Sequence, residues 1–395
     1  MSQLSRRDLL ASAGRLSLAA SVSHMLPTPL LVEALAAQAG LPAGKEKLIV
    51  RSVRPPDFET PVGLLDSFIT PIEHFYVRCH MPTPAAPDAA AWSLQIDGEV
   101  ATPITLSLAD LRAMPATTVT MTLECAGNGR AFFDPPVAGI QWEKGAVGTA
   151  RWTGVRMADL LTRAGVRTAG RNVVMTGADR PLGAMPPFVR QVGIEKAMAP
   201  DTIVAWEMNG QPLPLLHGFP LRAIVPGWEG AYSVKWLTGL RVIDRDFDGF
   251  WVATAYRYPT RRVAPGAAVP PEDMAPLGRL AVKSLITRPL DGAVVPPGPV
   301  QVAGFAWAGD TAIARVDISL DGGATWAPAT LTGEEARYAW RRFEHTFTAT
   351  RAESTLILSR ATDARGQVQP AVPMWNPSGY LWNAPDGVRI EVRNA

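Results

Sequence analysis

The sequence predicts an α+β domain followed by an immunoglobulin-like β-sandwich. Three observations lead to this expectation. Strand and helix patterns occur together in residues 45–258, a stretch rich in Pro, Ala and Gly occupies residues 259–277, and short strand patterns separated by turns fill residues 278–395. The chain has 395 residues, which is long for one domain because domains average roughly 150 residues. We therefore expect two domains joined by a linker over 259–277.

The first domain contains a clear strand pattern and a clear helix pattern. Apolar residues that alternate with Thr and Glu are typical of a half-buried strand, and here they are Val119, Met121, Leu123 and Cys125. Helical spacing with a glycine at the expected stop follows further on, at Met157, Leu160, Leu161, Ala164 and Gly165. This mixture predicts the α+β class.

The second domain is predicted from short strands and frequent turns. Residues 300–305, 314–320 and 355–359 have strand patterns, and residues 321–323 and 363–366 carry the Asp and Gly typical of turns. Strands of this length that recur over about 110 residues are typical of an immunoglobulin-like sandwich.

Composition excludes some classes of protein but does not identify a partner. Hydrophobic residues make up 47% of the chain and charged residues 19%, with a net charge of +2. These values argue against a disordered protein or a strongly nucleic-acid-binding one, so we expect no nucleic-acid partner. Recognition of an anion would have to come from the local placement of cations.

Residues 1–39 have the order of regions expected of a twin-arginine signal peptide. Arg6 and Arg7 precede a weakly apolar stretch, and small-residue triplets follow at 34–36 and 37–39. The alternative is an amphipathic helix. No later stretch approaches the ~18 apolar residues of a membrane span. We therefore expect a periplasmic protein, exported in the folded state, whose mature form has no membrane span.

The two cysteines, Cys79 and Cys125, allow two interpretations. In an exported protein they could form a disulfide. Cys125, however, ends a strand and begins a Gly-Asn-Gly turn, and Arg130 follows five residues later. A nearby cation favours a thiolate, which is the soft ligand that a sulfur-rich metal site accepts. Cys125 is thus also a candidate metal ligand.

Several segments together resemble the sulfite oxidase family. They are Glu-Cys-Ala-Gly-Asn-Gly-Arg at 124–130 and the segments 141–155, 208–214, 217–222 and 234–237. One such motif is weak, whereas this set in the family's order and spacing is specific. The resemblance extends over nearly the whole chain after the signal region, including the sandwich.

The resemblance implies a molybdenum–molybdopterin cofactor. Cys125 would bind the metal, while His217, Arg222 and Lys235 would contact the pterin and its phosphate. Charge supports this assignment, because a buried phosphate needs several donors and positive charge. Asp179 matches an acidic position that contacts the pterin.

The segment 75–80 resembles another family motif. It implies that Arg78 contacts the substrate anion and that His80 lies near the pterin. The family often has Asn where this chain has Cys79, which we therefore expect to be a small buried hydrophobe. Tyr256 matches the active-site tyrosine; the alternative is a tyrosine of the core.

One departure from the family concerns the substrate. The family's sandwich commonly supplies an arginine from a Trp-Asn-x-Arg-Gly motif, but residues 375–379 read Trp-Asn-Pro-Ser-Gly. Ser378 brings no charge. Arg78 and Arg130 are then the cations expected to hold the anion.

The implied activity is oxidation of sulfite to sulfate by oxygen-atom transfer. A haem-binding Cys-x-x-Cys-His motif does not occur in the sequence, so we expect a separate electron acceptor such as a c-type cytochrome. A homodimer through the sandwich is also implied. The alternatives are a molybdopterin enzyme that acts on another sulfur compound, for example a sulfoxide, and a non-enzymatic secreted scaffold with a Cys79–Cys125 disulfide.

Overall fold

The structure is a computed structural model that describes residues 41–350 and 354–393. The signal peptide predicted for residues 1–39 lies outside the described residues. The chain divides at Leu48 and Ile49 into two units. In the first unit, the described residues form turns in which Lys45 N–H donates to the Pro42 carbonyl and Leu48 N–H donates to the Lys45 carbonyl. The second unit contains the first predicted domain from residue 49 onward and the whole of the second predicted domain.

The N-terminal domain is a mixture of short strands and short helices. Its strands are β1 (Ile49–Ser52), β2 (Asp57–Glu59), β3 (Val77–Arg78), β4 (Ser93–Gly98), β5 (Ile104–Ser107), β6 (Ala116–Glu124), β7 (Val147–Arg156), β8 (Asn172–Gly177), β9 (Val189–Gly193), β10 (Ile203–Met208), β11 (Gln211–Pro212), β12 (Arg222–Ile224), β13 (Leu237–Ile243), β14 (Arg257–Pro259) and β15 (Met274–Pro276). Its α-helices are Leu108–Arg112, Met157–Ala164, Ile194–Ala197 and Phe250–Ala253. The 3₁₀ turns are Val62–Leu64, Ile72–His74, Arg130–Phe132, Leu215–His217, Gly230–Tyr232 and Pro271–Asp273. This mixture of strands and helices confirms the predicted α+β class.

Two five-stranded sheets form the framework of this domain within the described part of the chain. One has the order β11-β10-β7-β6, with β12 also paired to β10, and the other has the order β5-β4-β13-β8-β9. In the first sheet, β6 pairs antiparallel with β7 over its full length, and Glu124 lies opposite Val147. The loop that carries Cys125 therefore leaves the end of a fully paired strand.

The predicted strand and helix are both confirmed. Strand β6 ends at Glu124. The helix Met157–Ala164 buries one face, and Gly165 follows with φ 71°. This left-handed conformation is common just after a helix end, where glycine has no Cβ to oppose it.

The C-terminal domain is a two-layer β-sandwich, as predicted. Its strands are β16 (Lys283–Arg288), β17 (Ala293–Val295), β18 (Gly298–Trp307), β19 (Ile313–Ser319), β20 (Ala327–Pro328), β21 (Thr330–Thr332), β22 (Arg341–Ala349), β23 (Ser354–Asp363) and β24 (Asp386–Val392). The described strands form one sheet with the order β16-β18-β22-β21 and another with the order β17-β24-β23-β19-β20. Apolar side chains from both sheets, including Val302 and Ile357, share one core.

The segment 259–277, predicted as a linker, has regular structure at both ends. Strands β14 and β15 pair antiparallel, so that Tyr258 lies opposite Ala275. Arg261 also forms an ion pair with Asp273 at 2.6 Å. The segment thus leaves the first domain and returns to it before the sandwich begins.

The sandwich packs directly against the strand that leads to Cys125. Thr122 N–H donates to the Tyr338 carbonyl at 2.8 Å, and Trp340 N–H donates to the Thr122 hydroxyl at 2.7 Å. Both domains therefore fix the position of β6. Among the described residues, no helix has the length and apolar character that a membrane crossing requires.

Candidate active site

One pocket is lined by almost all of the residues that were predicted to be functional. It opens where β3, β6 and the segment 216–236 meet. The predicted residues that line it are Arg78, His80, Cys125, Asp179, His217, Arg222, Lys235 and Tyr256. Because they come from distant parts of the sequence, the fold brings together a set of cations, aromatic rings and one cysteine.

Cys125 faces this pocket from the end of β6. Its N–H donates to the Ala146 carbonyl at 2.9 Å, and its carbonyl accepts from Asn128 N–H at 2.8 Å, so the turn is held on both sides. Cys125 and Cys79 are both free thiols, and the alternative with a disulfide between them is wrong for this structure. Burial raises the pKa of the Cys125 thiol to about 11, against the opposing charges of Arg78 and Arg130.

Arg78 is held in place by a buried carboxylate that the sequence did not reveal. Its Nη1 lies 3.0 Å from Asp57 Oδ1. The same Asp57 oxygen accepts Cys79 N–H at 3.1 Å, and Asp57 is 1% exposed. Asp57 thus orients Arg78 toward the pocket from β2.

Arg130 is not among the residues that line the pocket, and its contact with the substrate stays a prediction. Its Nη1 donates to the Ile140 carbonyl at 3.0 Å, and its Nη2 donates to the Ser378 carbonyl at 3.4 Å. The guanidinium also lies 5.2 Å from the centre of the Tyr380 ring. Its charge nevertheless opposes the rise that burial causes in the pKa of the Cys125 thiol. The short spacing between Cys125 and Arg130 predicted that the two residues lie near each other, but the direction of the Arg130 side chain could not be predicted.

Arg222 supplies a buried positive charge to the pocket wall. It is 6% exposed, and its Nε and Nη1 donate to the Ser233 and His217 carbonyls, each at 3.1 Å. Burial lowers its pKa to about 10. No carboxylate within the described ranges forms an ion pair with Arg222, and neutral carbonyls offset a buried charge only in part.

Lys235 lies beside Arg222 and corrects the expectation for Cys79. Its Nζ donates to the Leu216 carbonyl at 3.0 Å and to the Cys79 Sγ at 2.8 Å. Burial lowers the pKa of Lys235. Cys79 is buried as predicted, but its sulfur is a polar partner of this lysine rather than only an apolar filler.

His80 and Tyr256 contact each other in the lining of the pocket. The His80 Nε2 and the Tyr256 hydroxyl are within hydrogen-bonding distance, and the His80 ring stacks on Phe188 at 3.9 Å. Burial lowers the pKa of His80 well below its usual value, and the charges of Arg78, Lys235 and Arg190 act in the same direction. Burial also raises the pKa of Tyr256 well above its usual value. Both groups are therefore neutral near pH 7.

Asp179 and Glu229 are the carboxyl groups of the pocket lining. Burial raises the pKa of Asp179 to about 6, although Lys235 opposes this shift. Burial also raises the pKa of Glu229 to about 7, opposed by Arg190. Glu229 is not among the predicted site residues, although it is the one charged residue in the run Val-Pro-Gly-Trp-Glu-Gly-Ala at 225–231.

The pocket fits a bound group that carries negative charge and a metal that accepts a thiolate ligand. Arg222 and Lys235 have no carboxylate partner within 4 Å among the described residues, and His217 lies on the same wall. A phosphate with several acceptor oxygens would offset these buried charges. The Cys125 thiol, protonated in this pocket, is the soft donor that becomes a thiolate on binding a metal.

Comparisons with known proteins agree with this site. The family model described as "Oxidoreductase molybdopterin binding domain" matches residues 80–251, and the one described as "Mo-co oxidoreductase dimerisation domain" matches residues 275–393. Sulfite oxidase of Gallus gallus is 37% identical over 371 residues, which cover 88% of this chain and 78% of that protein. Sulfite oxidase of Arabidopsis thaliana is 33% identical over 376 residues, with shares of 86% and 93%. The crystal structure of the sulfane dehydrogenase SoxCD from Paracoccus pantotrophus superimposes with a TM-score of 0.75 at 30% identity, covering 87% of this chain and 88% of that chain.

Proposed function

We propose that this chain, which belongs to the sulfite oxidase family of molybdopterin oxidoreductases, oxidises sulfite to sulfate and passes the electrons to a separate acceptor. The family match and the curated relatives make it a molybdenum enzyme with a molybdopterin cofactor. One observation carries the more specific proposal. The free thiol of Cys125 and the guanidinium of Arg78 line the same buried pocket.

The residues that would hold the cofactor are a metal ligand and a group of side chains that contact the pterin. Cys125 would bind the metal, and Arg222, Lys235 and His217 would bind the pterin and its phosphate. His80 and Asp179 would complete the contacts with the pterin. When bound, the cofactor supplies two-electron oxygen-atom-transfer chemistry.

The remaining side chains position the substrate and control its charge. Arg78 would bind the oxyanion, with Asp57 fixing the direction of the guanidinium. Arg130 would stabilise negative charge from behind the pocket, since charges in a poorly solvated site act over longer distances. Tyr256 would donate a hydrogen bond from its neutral hydroxyl. Arg130 and Tyr256 are both buried, which keeps bulk water away from these two groups.

A different sulfur compound is the second candidate substrate. Ser378 replaces the family's usual arginine with a neutral side chain, and its carbonyl accepts from Arg130. The structural relative from Paracoccus is described as a sulfane dehydrogenase. A substrate larger or less charged than sulfite, such as a sulfane sulfur compound or a sulfoxide, would suit a pocket with one cation fewer.

Two assays separate these substrates. The purified enzyme should reduce cytochrome c when sulfite is added, and Ser378→Arg should lower the KM for sulfite or strengthen inhibition by sulfate. Saturable reaction with a sulfane compound or a sulfoxide, without any reaction with sulfite, would instead favour the second candidate. In that case Ser378→Arg would not improve the reaction with sulfite.

The cellular setting forms part of the proposal. Arg6 and Arg7 support export by the twin-arginine route, which fits a cofactor inserted before the folded protein crosses the membrane. A periplasmic c-type cytochrome is then the expected acceptor. Replacing both arginines with Lys should leave cofactor-loaded precursor in the cytoplasm, and unchanged periplasmic activity would contradict the proposed export.

We also expect a homodimer formed through the sandwich, because residues 275–393 match a dimerisation domain. Light scattering of the purified protein should give twice the mass of the chain. A stable monomer at micromolar concentration would contradict this expectation.

A further inference from the structure

The sandwich domain places a tyrosine beside the pocket, in the same loop that lacks the family's arginine. This loop joins β23 to β24 and contains Ser378 and, two residues later, Tyr380. The Tyr380 ring stacks on the ring of Tyr256, with the ring centres 5.3 Å apart and the planes inclined by 10°. Since Tyr256 lines the pocket, the C-terminal domain contributes an aromatic side chain to its immediate surroundings.

Hydrogen bonds on both sides of Tyr380 fix this part of the loop. The side chain of Asn376, which is buried, accepts the Tyr380 N–H at 3.1 Å and donates to the Tyr380 carbonyl at 2.9 Å. The next residue, Leu381, donates its N–H to the Ala126 carbonyl at 2.9 Å. Ala126 directly follows Cys125, so the loop holds Tyr380 beside the turn that carries the predicted metal ligand.

The Tyr380 hydroxyl lies near the groups that line the pocket. Burial raises the pKa of Tyr256, and the charge that Tyr380 carries when deprotonated raises it further. Burial also raises the pKa of Tyr380 to about 12, and Cys125 and Arg78 act on it with opposite signs. Because interactions between charges weaken with distance, these effects agree with the ring stacking and place the hydroxyl close to the pocket.

This hydroxyl is available to a ligand. It has no hydrogen-bond partner among the described residues, whereas the Tyr256 hydroxyl is within hydrogen-bonding distance of His80. Nor is it one of the buried polar atoms without a partner, so a small molecule can reach it. A phenol with a pKa of about 12 keeps its proton near pH 7, and it therefore offers a neutral hydrogen-bond donor.

We propose that Tyr380 is a specificity-determining residue, whose hydroxyl donates a hydrogen bond to an oxygen atom of the bound sulfur compound. It takes over the contact for which the family's sandwich supplies an arginine at the position of Ser378. A phenol adds a hydrogen bond without adding charge, so this contact does not favour highly charged substrates as an arginine does. The inference rests on the proposed function, because it takes the pocket to be the place where the sulfur substrate binds.

The test measures the binding of sulfate, which presents oxygen acceptors on sulfur. Its dissociation constant is determined by calorimetry on the cofactor-loaded, oxidised enzyme. Tyr380→Phe keeps the ring and its stacking on Tyr256 but removes the hydroxyl. We expect this variant to bind sulfate about tenfold more weakly than wild type, since it loses a hydrogen bond to a charged group. An unchanged dissociation constant would overturn the inference.

Two further variants separate the hydroxyl from the ring and from its surroundings. Tyr380→Leu removes both the hydroxyl and the stacking, and it should bind sulfate at least as weakly as Tyr380→Phe. Weaker binding in Tyr380→Leu alone would assign the effect to the ring and refute the role of the hydroxyl. Tyr338→Phe is the matched control, because it removes a tyrosine hydroxyl that donates to Asp201 at 3.1 Å, outside the pocket lining. It should leave the dissociation constant unchanged.

The wild-type enzyme keeps the inference testable if the variants do not fold. In a crystal structure of the loaded enzyme with sulfate, the Tyr380 hydroxyl should lie within about 3 Å of a sulfate oxygen. A hydroxyl directed away from the bound sulfate would refute the inference. Neither measurement depends on turnover. Absence of metal reduction by sulfite, together with weaker sulfate binding in Tyr380→Phe, would refute the proposed activity alone.

Discussion

Glu124, the residue before Cys125, forms a buried ion pair with Lys283 of the sandwich, with Nζ 2.8 Å from Oε1. Its other oxygen accepts the Trp307 Nε1–H at 2.8 Å. Lys283 also donates to the Asn128 carbonyl at 3.0 Å, and Asn128 Nδ2 donates back to Glu124 at 2.9 Å. The C-terminal domain thus fixes both ends of the turn that carries the predicted metal ligand.

This buried ion pair should contribute more to stability than an exposed one does. Lys283→Met should lower the free energy of unfolding by about 3–5 kcal/mol, because it leaves the carboxylate of Glu124 buried without its cation. Urea unfolding measures the loss. Arg288→Met is the control, since its ion pair with Asp66 is exposed, and it should cost about 1 kcal/mol or less. Equal losses in the two variants would show that the buried pair has no special role.

The two cysteines should respond differently to serine. Cys125→Ser should fold but lose activity and most of its metal spectrum, because a hydroxyl is a harder and far less acidic ligand than a thiol. Cys79→Ser should keep substantial activity, since a hydroxyl can still accept the hydrogen bond from Lys235. Metal analysis and sulfite assays on both proteins test this prediction. Loss of metal in Cys79→Ser as complete as in Cys125→Ser would contradict it.

Removal of the substrate cation should cost more than removal of the neutral hydroxyl. Arg78→Ala removes a charge-assisted hydrogen bond worth about 1.5–3 kcal/mol, or roughly ten- to hundredfold in kcat/KM. Tyr256→Phe keeps the ring and should have a milder effect. Steady-state kinetics with sulfite measure both. A greater loss in Tyr256→Phe than in Arg78→Ala would reverse the assignment of these roles.

The stability of the folded protein should depend on pH through the carboxyl group of Glu229. Its pKa is about 7 in the folded protein, against an ordinary value of 4.5. Between these values the folded state retains a proton that the unfolded state has lost, so the contribution to stability is present below pH 4.5 and is lost as the pH rises through 7. Relative to Glu229→Gln, the wild type should lose about 1–3 kcal/mol over this interval. Parallel stability curves for the two proteins would show that the carboxyl does not titrate in this way.

Much of the framework could be predicted because local patterns determine it. The alternation of apolar and polar residues up to Cys125 predicted β6. The helical spacing of apolar residues before Gly165 predicted the helix Met157–Ala164. The resemblance to the family then predicted that distant residues such as Arg78 and Lys235 line one pocket. Local residue patterns alone could not predict this.

The rest depends on side-chain directions and on burial, which sequence patterns do not contain. Arg130 follows Cys125 closely in the chain, yet its guanidinium turns to the Ile140 and Ser378 carbonyls. Glu229 is the one charged residue of the segment 225–231, and only the fold shows that it is buried in the lining of the pocket. Asp57, far from any motif, proved to orient Arg78.

The molybdenum content of the purified protein, measured together with the spectral change that follows addition of sulfite, tests the proposed activity most directly. We predict about one molybdenum atom per chain, since one cysteine lines the pocket, and reduction of the oxidised metal by sulfite. Folded protein that contains no molybdenum when isolated from cells able to make the cofactor would contradict the assignment of Cys125 as a molybdenum ligand.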